Sequence, residues 1–270
     1  MSRVPLWPVL GLGVVGLGVY GLLARDARAA TPTPAQLLPL RLASAPFPDA
    51  PQPGAVVVIP AGFNPTRPCR LCFYFHGHHN SALNVVGSGG GSRPASHLAE
   101  QLALSPDVLL VVPGISEVDS AIGQLSRPGR MLTFIQEVLG QLPRVNVGHV
   151  IAMAHSGGYL GAAALVEASI PLLRSVVLLD ALYGEVETFA AWAQRGGRLA
   201  SVYTASGGTA TNSGALAGRV AGLPGALIDP STAPVSVEAL SRARAVVKRS
   251  ALSHDAVARH YPAAFWEAGW

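Results

Sequence analysis

The chain has 270 residues, of which 50% are hydrophobic and only 13% charged, about half the charged share usual in soluble proteins. This excludes an intrinsically disordered chain and supplies apolar side chains for one sizeable core, with a central sheet covered on both faces. The net charge is +4, of which Arg3, Arg25, Arg28 and Asp26 place +2 in residues 1–30; no Lys/Arg run or stripe follows, so a nucleic-acid surface has no electrostatic footprint and no nucleic-acid partner is expected.

Residues 1–30 carry the marks of a signal peptide or N-terminal anchor. Arg3 precedes an almost wholly apolar run from Val4 to Ala24, and Ala27-Arg28-Ala29 offers the small-x-small pattern of a signal-peptidase site. The run approaches the ~20 residues of a membrane span. Five glycines and two prolines within it favour cleavage over a stable span. Export is therefore expected, to a periplasm or the medium, with membrane contact only through this segment if it stays uncleaved. Residues 31–54 hold seven prolines and read as a linker or extended lead-in, which leaves residues 55–270 as the folded domain.

Strand-length apolar runs then alternate with helix-length segments. Strands are expected at Ala55–Ile59 and Leu71–Phe75, a helix at Ala95–Leu104, a strand at Val108–Val112 and a helix at Arg130–Leu142. A strand His149–Ala154, a helix Gly158–Ala168 and a strand Val176–Leu179 follow. The pattern continues with a helix Val186–Gln194, a strand Leu199–Thr204, a helix Ser213–Ala221, a strand Ala226–Ile228 and a helix Val237–Lys248. Such alternation predicts an α/β fold, a doubly wound, mostly parallel sheet with helices on both faces. Binding sites in such sheets lie at the strands' carboxyl ends. The segments to search are then His76–Pro94, Gly114–Pro128, His155–Gly158, Asp180–Gly184 and Ala205–Asn212.

The two cysteines, Cys69 and Cys72, lead into an apolar strand, where residues three apart stand about 10 Å apart and cannot be bridged. Two thiols cannot complete a four-ligand zinc site either, so a structural role is expected of them.

Chemistry concentrates at three places. Val150-Ile-Ala-Met-Ala154-His155-Ser156-Gly157-Gly158 places a serine between a long apolar strand and an Ala/Leu-rich helix, flanked by small residues. Leu71-Cys-Phe-Tyr-Phe-His76-Gly77-His78-His79-Asn80 ends another strand. Ser253-His254-Asp255 lies near the chain end. The first segment resembles the nucleophile elbow G-x-S-x-G of the α/β-hydrolase superfamily, with Ala154 at the first small position. A helix N-cap is the structural alternative for Ser156.

By that resemblance Ser156 is the nucleophile, and His254 the base that takes its proton and returns it to the leaving group, with His260 as its rival. The backbone N–H groups of His78 and Gly157 would form the oxyanion hole. The triad acid usually follows a strand later in the sheet, but Thr204–Thr209 holds no carboxylate. Asp180 ends the preceding strand, 24 residues after Ser156, and is the expected acid; Asp229 is the alternative. His79, His155 and Tyr183 are expected to touch substrate. The segment from Leu182 to Val186 is too short for a lid domain, so an open site is expected, rimmed by Gly87–Ser92 and Ala205–Asn212. The resemblance implies a serine esterase acting on a neutral small-molecule or polymer ester, an amide being the second choice, through an acyl-Ser156 intermediate with no cofactor and no metal. Two other classes stay open: an inactive binding protein on a hydrolase fold, and a metal-dependent hydrolase built on His76, His78 and His79.

Overall fold

A computed structural model describes residues 35–88, 95–142, 144–205 and 208–270. Every described element falls in the unit Thr33–Trp270, and Met1–Pro32 lies outside the described residues. The expected export segment therefore lies outside them too, as do residues 89–92 of the rim loop at Gly87–Ser92 and residues 206–207 of the other.

Nine strands build one sheet: β1 (Gln36–Leu40), β2 (Ala55–Ile59), β3 (Pro68–Phe75), β4 (Val108–Pro113), β5 (Asn146–His155), β6 (Leu173–Leu179), β7 (Arg198–Thr204), β8 (Ala226–Asp229) and β9 (Ala245–Ser250). Their order is β1-β2-β4-β3-β5-β6-β7-β9-β8. β2 pairs antiparallel with both β1 and β4, and the pairs from β4 to β8 are all parallel. The helices are α1 (Ala82–Val86), α2 (Leu98–Gln101), α3 (Arg130–Gly140), α4 (Tyr159–Glu167), α5 (Val186–Gln194), α6 (Ala210–Val220), α7 (Val237–Arg242) and α8 (His254–Glu267).

The period of two in a strand divides the apolar residues between two cores. Leu71, Phe73 and Phe75 of β3 join a core with Phe134 of α3, Leu165 of α4, Phe189 of α5 and Leu216 of α6. Cys72 and Tyr74 point the other way, into a core with Val85 of α1, Leu98 of α2, Leu240 of α7 and Trp266 of α8. Apolar runs such as Val108–Val112 are buried throughout because helices cover both faces.

Three local differences from the sequence reading have physical causes. The segment read as a linker or extended lead-in carries β1, whose Leu40 sits in the core together with Leu42 and Ala45; its prolines suit an edge strand. The helix expected over Val237–Lys248 stops at Arg242, where Ala243 turns extended (φ −77°, ψ 144°). Ala245-Val-Val-Lys248 then forms β9 between β7 and β8, since a β-branched run buried on both sides gains more in a sheet than on a helix surface. His254, expected in a loop, is the first residue of α8, and His260 stands exposed on the same helix.

Cys69 and Cys72 are free, buried thiols on β3, and burial pushes the Cys72 thiol up to about 12. A thiol so placed is neither a nucleophile nor a metal ligand at neutral pH.

β3 has β4 on one side and β5 on the other, so the winding of the chain reverses between β3 and β5. Phe75 pairs with Ala154 there, which brings the segments after both strands side by side at the carboxyl edge. A crevice at such a reversal is where ligands bind in open α/β sheets.

Candidate active site

β5 ends at His155, and the chain reverses into α4 through Ser156 at φ +53°. A non-glycine residue in this region costs of order 1 kcal/mol or more and holds the side chain on the tip of the turn. The glycines after it are required by contact. A Cβ on Gly158 would lie 2.2 Å from the Phe75 carbonyl oxygen, so only glycine lets α4 start so close to β3.

The Ser156 hydroxyl donates to Nε2 of His254 at 2.9 Å, and Nδ1–H of His254 donates to Oδ2 of Asp180 at 2.8 Å. Asp180 follows β6 at φ +46° and is fully buried. Its backbone N–H donates to the Val202 carbonyl at 2.6 Å. Thr204 donates to its carboxylate twice, by N–H at 3.1 Å and by hydroxyl at 2.6 Å, and the Thr209 hydroxyl donates as well. Burial pushes the Asp180 carboxyl up, but the hydrogen bonds from His254, Thr204 and Thr209 outweigh it and hold it at about 2. The carboxylate is therefore ionised at neutral pH and fixes His254 as the tautomer whose Nε2 accepts a proton.

Thr204 and Thr209 are the functional residues that sequence reasoning passed over. They bracket the segment searched for an acid, and instead of supplying a carboxylate it solvates the one on the neighbouring strand. Asp229, the alternative acid, is occupied elsewhere: at the β8 edge it pairs with Nζ of the buried Lys248 at 2.9 Å.

The loop after β3 lies directly against the elbow. A Cβ on Gly77 would stand 2.5 Å from the Ser156 Cβ, and one on Gly157 would meet Nε2 of His78 at 2.5 Å. Residues 77–78 and 157 thus face one another beside the serine. The three histidines of this loop diverge. His76 is 1% exposed, donates from Nδ1 to the Gly77 carbonyl at 3.0 Å, and is pushed down to about 4 by burial. The His78 ring pairs with the Ser120 hydroxyl at 3.0 Å, and His79 is exposed at φ +59°. Among the described residues, the ligand atoms that converge within 4.8 Å belong instead to His155, His254 and Asp255, and both ring nitrogens of His254 are engaged by Ser156 and Asp180.

Tyr183 is 41% exposed, lies beside Ser156, and has its ring 6.3 Å from that of Tyr159. His155, expected to touch substrate, does not face the site entrance. It is 3% exposed, and its Nε2–H donates to the backbone carbonyl of His254 at 3.0 Å. Immediately after an extended β5, alternate side chains point to opposite faces, and the face that takes His155 is the one beneath the base.

His155 is pushed down to about 4, by burial first and by the neighbouring His254 second. Together with His76 it makes acid stability predictable. Each ring binds its proton near 6.5 in the unfolded chain and near 4 in the folded one. The folded state is thus fully stabilised above about 6.5 and weakens as pH falls toward 4. That gap corresponds to about 3 kcal/mol per histidine. The urea midpoint should therefore fall steeply between pH 6.5 and 4.5; an unchanged midpoint over that interval would mean that neither ring is held neutral by burial.

No family model and no curated protein matches the chain. Solved structures do. A feruloyl esterase module from Clostridium thermocellum, complexed with sinapinate, superposes over 88% of this chain and 89% of its own with a TM-score of 0.61 at 10% identity. A ferulic acid esterase from the anaerobic fungus Anaeromyces mucronatus covers 90% and 92% (TM-score 0.51, 11% identity). An S-formylglutathione hydrolase from Agrobacterium tumefaciens covers 86% and 94% (TM-score 0.50, 10% identity). The chain shares with them the α/β-hydrolase fold, as its sequence led us to expect.

Proposed function

We propose that this α/β-hydrolase-fold chain is a serine hydrolase cleaving carboxylic esters through an acyl-Ser156 intermediate. The observation that carries this is the unbroken hydrogen-bond chain from the Ser156 hydroxyl through His254 to the buried Asp180 carboxylate. In this reading Ser156 Oγ attacks the ester carbonyl carbon while Nε2 of His254 takes its proton. The carbonyl oxygen becomes an oxyanion facing the N–H groups of His78 and Gly157. As the tetrahedral adduct collapses, His254 returns the proton to the departing alcohol oxygen, and a water molecule, deprotonated by the same ring, releases the acid. Asp180 stabilises the imidazolium formed in each half-reaction.

The described part of the rim supports a substrate class. Only Tyr183, Gly184 and Glu185 separate Leu182 from α5, too few residues for a lid. Tyr159 and Tyr183 present aromatic surface next to Ser156. A site without a lid between β6 and α5, and with that lining, suits a neutral ester on a small molecule or at the surface of a polymer, and the related folds include esterases of ferulic acid. Fluorophosphonate labelling of the wild type beside Ser156→Ala tests the reading: the wild type labels and the variant does not, whereas an unlabelled, folded wild type refutes it.

Export is proposed on the sequence of residues 1–30 alone. Mass spectrometry of the protein recovered outside the cytoplasm should give a chain starting just after Ala29; an intact Met1 terminus there would identify an uncleaved anchor, and retention in the cytoplasm would refute export.

A further inference from the structure

The base of the triad stands on insecure ground. His254 is the first residue of α8, the N-cap Ser253 makes no side-chain capping bond, and helix ends of this kind fray. Asp180 anchors the ring at Nδ1, but something other than the helix must hold the His254 backbone so that Nε2 stays within 2.9 Å of Ser156.

His155 is placed to do this. It belongs to the central strand β5, is 3% exposed, and adjoins the nucleophile in sequence. Its ring donates from Nε2–H to the carbonyl oxygen of His254 at 3.0 Å, while its face packs on the His254 imidazole with centroids 4.7 Å apart and planes 37° apart. Backbone and ring of the base are thus gripped by the same side chain. A carbonyl only accepts, so the geometry requires the Nε2–H tautomer of a neutral His155 ring. Burial keeps that ring neutral at neutral pH, and it remains so beside an imidazolium at His254.

We propose that His155 is a positioning residue for the catalytic base, tying the start of α8 to the nucleophile strand so that Nε2 of His254 stays aimed at Ser156. The inference rests on the serine-hydrolase reading above. His155 touches neither substrate nor the reacting atoms; it acts through His254. Misplacement of a catalytic group by about 1 Å can cost 10²-fold in rate, and substrate binding at the open rim should not register it.

The test compares His155→Leu with His155→Gln. Gln carries an amide donor at nearly the place of Nε2, and Leu carries none. His155→Leu should lower kcat on a p-nitrophenyl ester about 10²-fold with KM within about twofold, and slow fluorophosphonate labelling by the same factor. His155→Gln should recover to within about tenfold of wild type. Wild-type kcat in His155→Leu, or an equal loss in a folded His155→Gln, overturns the proposal. Should His155→Leu fail to fold, nitrogen-15 NMR of the wild type decides: the Nε2–H tautomer of His155 between pH 6 and 8 is expected, and an Nδ1–H tautomer, with no donor for the His254 carbonyl, overturns it. A wild type that takes no fluorophosphonate removes the serine-hydrolase reading itself; one that labels while His155→Leu matches it removes only the positioning role.

Discussion

Ser156→Ala should lower kcat on an activated ester by about 10⁴- to 10⁶-fold without unfolding the protein. The size of the loss follows from what the hydroxyl does. Without Oγ no acyl intermediate forms, and hydrolysis is left to a water molecule acting beside His254, aided by whatever the N–H groups of His78 and Gly157 contribute to the oxyanion. The fold should be indifferent, because Ser156 lies at φ +53° and alanine meets about the same backbone penalty there as serine. Paired melting curves and ester kinetics check both halves of the expectation. A variant that folds and retains wild-type turnover would mean the hydrolysis does not pass through Ser156.

Asp180→Asn should cost about 10⁴-fold in kcat, a loss much larger than one hydrogen bond is worth. Asparagine is close to isosteric and tolerates the left-handed conformation at φ +46°, so the backbone need not move. The Thr204 N–H and the Thr209 hydroxyl both donate to Oδ1, the oxygen turned away from His254, and in the variant they would keep the amide oxygen at that position. The amide nitrogen is then turned to His254 Nδ1, where it donates instead of accepting. The ring is pushed into the tautomer with hydrogen on Nε2, which cannot take the Ser156 proton. Two threonines that never approach the serine thus decide how badly this substitution fails. Asp180→Asn combined with Thr209→Val should recover part of the loss, since the amide oxygen then loses its side-chain donor at Oδ1 and is freer to flip; kcat for the single and double variants measures the difference.

Residues close in sequence were the ones most readily interpreted. The elbow at Ser156 and the His76-Gly77 turn were legible because each is a local reversal with small residues in fixed places, whereas Asp180 and His254 were named through the chain order that the resemblance implies. The parallel sheet was legible from its buried apolar runs. β9 was not, because Ala245–Lys248 follows helix α7 without a glycine or proline, and only the slot between β7 and β8 makes it a strand. β1 hid behind its prolines. The tasks of Thr204, Thr209 and His155 were invisible for a different reason: each makes its decisive hydrogen bond to a residue at least 24 positions away, with no periodicity to signal the direction of the side chain.

The members of the triad leave the sheet at β5, β6 and β9, with serine and histidine 98 positions apart in the chain. β9 lies between β7 and β8, although it follows both in the chain. β8 therefore joins the sheet only through a strand that follows it in the chain, and non-local pairing of this kind raises the contact order and slows folding. His254 begins α8, directly after β9, so a chain in which β9 is unplaced holds no base beside Ser156. Turnover in refolding therefore reports specifically the placement of β9 and α8, which circular dichroism averages together with every other strand and helix.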